Sequence, residues 1–135
     1  MSISPQQTCA DLLSLLDVFK RSLRELAEEK GLTHMQIAAL YTLQKQPDML
    51  MSRMAELLHC DASNVTGIVD RLVTQGLVSR VECAHDRRAK ALRVTEKGQA
   101  VIDDIMGSLP AKLGCERIAQ QEREALHVAV EKIST

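Results

Sequence analysis

The chain has 135 residues, 45% of them hydrophobic, and a formal net charge of −1. That length suits one domain with a real core, while an aromatic content of 1% excludes an aromatic ligand cage and a base-stacking platform for single strands. Charge is unevenly spread: Met51 to Gly98 holds eight Lys and Arg against six Asp and Glu, and the remainder nine against twelve. A weakly basic segment in an acidic frame suits a protein that meets phosphate through one face. No apolar run reaches transmembrane length, and the polar start MSISPQQT lacks the signal-peptide pattern. Cys9, Cys60, Cys83 and Cys115 are too sparse for a disulfide scaffold and lack metal-finger spacing. A cytoplasmic protein with no membrane partner is the expectation.

From the N-terminus, Leu12, Leu15, Leu16, Phe19, Leu23 and Leu26 recur at helical spacing, so a helix is predicted from Thr8 to Lys30, stopping at Gly31. A second helix begins after Thr33, whose pairing with Gln36 forms a capping box. It must end before Pro47. Ser52 is placed to cap a short third helix from Arg53 to His59. Cys60-Asp61-Ala62 reads as a turn, and a fourth helix runs from about Ser63 to Gln75, ending at Gly76. Leu77–Glu82 and Ala89–Thr95 read as two strands, with residues 83–88 as the tip of a ribbon. Thr95 caps a fifth helix, which Pro110 should kink or end. A last amphipathic helix spans Gln120 to Ile133. The order is four helices, two strands and two helices.

The fourth helix has two contrasting faces. At 100° per residue, Val65, Ile68, Val69 and Leu72 share the core side. Ser63, Asn64, Thr66, Gly67, Asp70 and Arg71 lie on or flank the other. Short polar side chains let a helix enter a major groove and reach base edges or phosphate. Gly67 lowers helix stability by about 1 kcal/mol relative to Ala, and a closer approach to DNA is the return expected for it. The N-terminus of this helix is expected to offer unpaired N–H groups to phosphate. Ser52 and Arg53, at the start of the third helix, join the candidate DNA contacts.

The ribbon adds a basic tip. Arg87 and Arg88 sit there, with Lys90 and Arg93 on the return strand, and a narrow tip with Arg suits a minor groove. Asp86 is expected to orient an arginine, Arg71 or Arg88, in a bidentate pair.

From Thr33 to Gly98 the chain resembles the MarR family of winged-helix transcriptional regulators. The likeness is carried by Leu32-Thr33-x-x-Gln36-x-x-x-Leu40, by Ala55-x-x-Leu58, by Asn64-Val65-Thr66-x-x-Val69-Asp70-Arg71-Leu72 and by Gly76-Leu77-Val78-x-Arg80. Asp86-Arg87-Arg88 and Val94-Thr95-Glu96-Lys97-Gly98 complete it. The resemblance implies a mainly α fold with a small β-wing, in which a winged helix-turn-helix is flanked by N- and C-terminal dimerisation helices. The corresponding regions are 1–31, 32–98 and 99–135. It implies an obligate homodimer that sets two recognition helices in successive major grooves of a pseudo-palindromic double-stranded site. It also implies repression of nearby genes and release by a small-molecule effector or an oxidant. The amphipathic terminal helices independently ask for a partner surface.

Cys60 is the best redox candidate on physical grounds, because a thiol beside a helix N-terminus is activated by the dipole. Cys9 enters through the hydroperoxide-sensing branch of the family, whose Cys-Phe-x-Leu-Tyr-like context is replaced here by Ala10-Asp11-Leu12-Leu13. No metal site is expected, since His34, His59, His85 and His127 are dispersed. No cofactor and no enzyme activity are expected either: nucleophile elbow, P-loop and zinc-protease motifs are missing, and adjacent Asp103 and Asp104 on a helix point about 100° apart. The alternative reading is a winged-helix protein-interaction module that does not bind DNA.

Overall fold

The computed structural model describes residues 1–83 and 89–135. Helix α1 spans Pro5–Glu29, three residues earlier than its apolar stripe suggests, because Ser4 caps it and Pro5 sits at its first position. Helix α2 spans His34–Lys45 and carries the expected capping box: Thr33 Oγ1 accepts from Gln36 N–H at 3.2 Å, and Gln36 Oε1 accepts from Thr33 N–H at 2.8 Å. Strand β1, Met49–Leu50, follows a turn at Asp48 with φ 60°. Helix α3 is Met51–Leu58 and ends on His59 in the left-handed conformation. Helix α4 is Ala62–Thr74, strands β2 and β3 are Val78–Glu82 and Lys90–Val94, and helix α5 is Glu96–Leu113. A short 3-10 turn at Cys115–Arg117 leads to helix α6, Gln120–Ser134.

Three expectations are corrected. The ribbon is part of a three-stranded antiparallel sheet in the order β1-β3-β2, with Met49 opposite Leu92 and Val78 opposite Val94. Ser52 does not cap α3: β1 runs straight into the helix, Leu50 occupies the cap position, and Ser52 lies in the first turn. Pro110 does not stop α5 at once. It lacks an N–H, but so little helix follows that the chain completes its turn and stops at Gly114, φ 74°.

The core lies between α2, α4, α5 and the sheet, where Leu40, Val69, Leu72, Leu92, Ile102 and Ile105 are sealed from solvent. Thr95 caps α5 through the Gly98 N–H at 3.1 Å. A Cβ on Gly98 would collide with the Leu77 carbonyl oxygen, so only glycine lets α5 start this close to the end of α4. The arms are different. α1 buries only Ser22, Leu26 and Ala27, and α6 buries nothing. Among the described residues, no helix is long and apolar enough to cross a membrane.

Candidate nucleic-acid interface

Helix α4 divides as its periodicity predicts. Val65, Val69 and Leu72 are buried, and Ile68 is half-buried. Ser63, Asn64, Thr66, Gly67, Asp70 and Arg71 are all exposed. A Cβ on Gly67 would meet nothing within 4 Å. Unlike Gly98, Gly67 answers no packing need among the described residues.

The N-terminus of α4 departs from expectation. Its cap is Asp61, whose Oδ1 accepts from Asn64 N–H at 2.8 Å and from Ser63 Oγ–H at 2.9 Å. These bonds, the Asn64 N–H first, hold the Asp61 carboxyl below its ordinary value. A carboxylate therefore takes the place that the sequence suggests for phosphate. Asn64 Nδ2 also turns toward Asp61 Oδ2, at 3.4 Å, and Thr66 Oγ1–H donates to the Ala62 carbonyl at 2.8 Å. The sequence pattern puts Asp61 in a turn, although its spacing from Asn64 is that of an N-cap.

Asp70 lies on the expected face but forms an ion pair with Arg80 of β2, joining the middle of α4 to the ribbon. Sequence reasoning does not single out Arg80 as a partner. Arg93 is not an independent wing cation, since its Nε–H donates to Asp48 Oδ1 at 2.7 Å. That bond lowers the Asp48 pKa and raises that of Arg93. Asp86, Arg87 and Arg88, the expected tip, lie outside the described residues. Lys90 stands opposite Glu82, and with Ser52 and Arg80 it lines a groove of about 400 Å³ between the start of α3 and the ribbon. Arg53 is exposed and donates to Glu56 at 2.9 Å.

Behind α4 runs a polar relay that the sequence does not reveal. Gln36, 3% exposed, donates from Nε2 to Gln75 Oε1 at 3.0 Å. Gln75 Nε2 donates to the Gly31 carbonyl at 3.3 Å, and Lys97 Nζ donates to the Gln75 carbonyl at 3.0 Å. The C-terminal end of α4 is thus tied to the end of α1 and the start of α5. An apolar cleft of about 370 Å³ opens elsewhere, lined in part by Phe19 and Leu23 of α1, Tyr41 of α2, Leu58 of α3 and Met106 of α5.

Cys60 donates from Sγ to the Leu58 carbonyl at 3.3 Å, and Cys9 is exposed near the start of α1. Among the described residues, no group of three or more His, Cys, Asp and Glu is placed to hold a metal ion.

Residues 32–90 match the family model of the MarR family. That span opens at the turn before α2 and takes in the whole reading helix. Within that span the chain is similar to the MarR family. It is 28% identical over 130 residues to the HTH-type transcriptional repressor MdtR of Bacillus subtilis, covering 93% of this chain and 84% of that one. The fold matches the crystal structure of a cysteine-to-serine mutant of MarR from E. coli with a TM-score of 0.81 at 20% identity, over 100% of both chains. The same E. coli mutant in complex with operator DNA matches with a TM-score of 0.71 at 21% identity, over 90% and 89% of the two chains. The YusO protein of Bacillus subtilis matches with a TM-score of 0.71 at 24% identity, over 98% and 99%. The chain thus has the winged-helix fold of these structures.

Proposed function

We propose that this protein is a transcriptional repressor that binds double-stranded DNA sequence-specifically, as a homodimer on a pseudo-palindromic operator. One observation carries the reading most directly. The exposed face of α4 is small and polar around Gly67, whose missing side chain relieves no contact among the described residues. Space left open on the outside of a helix is useful to something that approaches from outside, and a major groove is the surface such a helix fits. Ser63, Asn64, Thr66, Asp70 and Arg71 form the base-reading set. Ser52, Arg53, Lys90, Arg87 and Arg88 supply backbone contacts, and Asp86 orients an arginine. The repressor of Bacillus subtilis and the operator complex of the E. coli protein support the same reading.

The arms supply the dimer. Leu13 and Leu16 of α1 and Leu126, Val130 and Ile133 of α6 are exposed in the single chain, and burying such stripes requires a second copy. Two reading helices would then meet half-sites about one DNA turn apart. Release is assigned to a small apolar effector in the cleft beneath α1. Oxidation of Cys60 or Cys9 is the other route.

The test is a salt titration with a duplex enriched from a random pool. Affinity should fall by about 10³-fold or more between 50 and 200 mM salt, and Lys90→Ala should flatten the log–log slope by about 0.9. Binding that ignores salt, or a slope unmoved by Lys90→Ala together with Arg71→Ala, contradicts the proposal and favours a protein-interaction module.

A further inference from the structure

The hydrogen bonds within the first turn of α4 decide which kind of group that turn can offer to DNA. Ser63 and Thr66 each own a single hydroxyl hydrogen. Ser63 gives its hydrogen to Asp61 Oδ1 at 2.9 Å, and Thr66 gives its to the Ala62 carbonyl at 2.8 Å. What remains on both oxygens is lone pairs. Asn64 has one of its two Nδ2 hydrogens toward Asp61 Oδ2, at 3.4 Å, which turns its Oδ1 away from the cap and leaves the second hydrogen beside it. An ionised carboxylate accepts and never donates, so Asp61 fixes these orientations on Ser63 and Asn64. All four residues are exposed.

We infer that Asp61 is a specificity-determining residue: it sets the leading turn of α4 as an acceptor-rich surface that selects exocyclic amino groups in the major groove. The inference rests on the DNA-reading function proposed above. In that groove the only hydrogen-bond donors are adenine N6–H₂ and cytosine N4–H₂, while guanine and thymine present O6, N7 or O4 acceptors. Acceptors facing acceptors repel and leave both groups unpaired. On the contacted strand the turn therefore favours A and C over G and T. The negative charge of Asp61 also keeps phosphate away, so backbone contacts fall to Arg53 on α3 and to the basic residues of the ribbon. Arg71, at the other end of the same face, is a pure donor. The reading face thus runs from acceptors to a donor along its length.

Asp61→Asn is the informative change. Asparagine caps a helix as well as aspartate does, so α4 keeps its start. The amide, however, places an N–H₂ group opposite Asn64. Asn64 then flips to accept from it and turns its own N–H₂ outward. The experiment selects duplexes from a random pool with the full-length wild type, Asp61→Asn, Ser63→Ala and Asn64→Ala, and records melting temperatures. Ser63→Ala and Asn64→Ala locate the half-site positions read by this turn. There the wild type should favour A and C over G and T on one strand by about tenfold. Asp61→Asn should cut that preference to about twofold or reverse it, with its melting temperature and the other half-site positions unchanged. A wild-type preference at those positions that puts A and C on opposite sides, purine against pyrimidine or A·T against G·C, or a preference that survives Asp61→Asn intact, overturns the inference alone. Failure of the wild type to enrich any sequence overturns the DNA-reading function and this inference with it.

Discussion

Between α2 and α5 a single chain seals its own apolar side chains: Leu40, Val69, Leu92 and Ile105 are 0% exposed. In the arms, Leu13 is 63% exposed and Ile133 65%. Both regions contain amphipathic helices, so the difference lies in what faces them. The winged core has a sheet and several helices to close it, whereas α6 has none of its residues buried. The core therefore carries the stability of the single chain, and in the proposed homodimer the arms carry stability that depends on protein concentration.

Core truncation should have the largest effect. Leu92→Ala removes a sealed side chain from β3 and should cost about 2–5 kcal/mol in urea unfolding. A loss no larger than that of Leu13→Ala at the same concentration would erase the distinction between the regions. Next is Gly98→Ala, which forces a Cβ against the Leu77 carbonyl. It should destabilise by about 1–3 kcal/mol, and a stabilised variant would mean that α5 does not start where the structure puts it. In the arms, Val130→Glu with Ile133→Glu should give a monomer in sedimentation, with the helical signal of the core retained. The wild-type melting temperature should rise with concentration, and that of the double variant should not.

A smaller effect concerns the cap of α4. The Asp61 carboxyl titrates below the ordinary value of 3.8 in the folded chain because of its bonds from Asn64 and Ser63. Its stabilising contribution is complete above 3.8 and is lost as pH falls through the lower folded value. Protection of the Asn64 amide, relative to its intrinsic exchange rate at each pH, should fall on acidification through that range, and Asp61→Asn should abolish that loss of protection.

Local signals are legible in the chain. The capping pairs at Thr33 and Thr95 and the two faces of α4 follow from spacing alone. Strand β1 is not legible, because two residues become a strand only by pairing with β3, and the same pairing displaces Ser52 from the cap. The position of the candidate interface is likewise readable, but its polarity is not. Asp70 and Arg80 are ten positions apart across a helix–strand turn, beyond any helical or strand period. The relay from Gln36 to Gln75 spans 39 positions. Asp61 looks like a turn residue in the sequence, and only the orientation of Ser63 and Asn64 shows it to be a cap.

Gly67 tests the central claim most directly, since it weakens α4 and relieves no contact among the described residues. Gly67→Ala should stabilise the fold by up to about 1 kcal/mol and at the same time weaken binding to the enriched operator duplex by tenfold or more. A stabilised variant that binds that duplex as tightly as the wild type would contradict the assignment of this face to DNA.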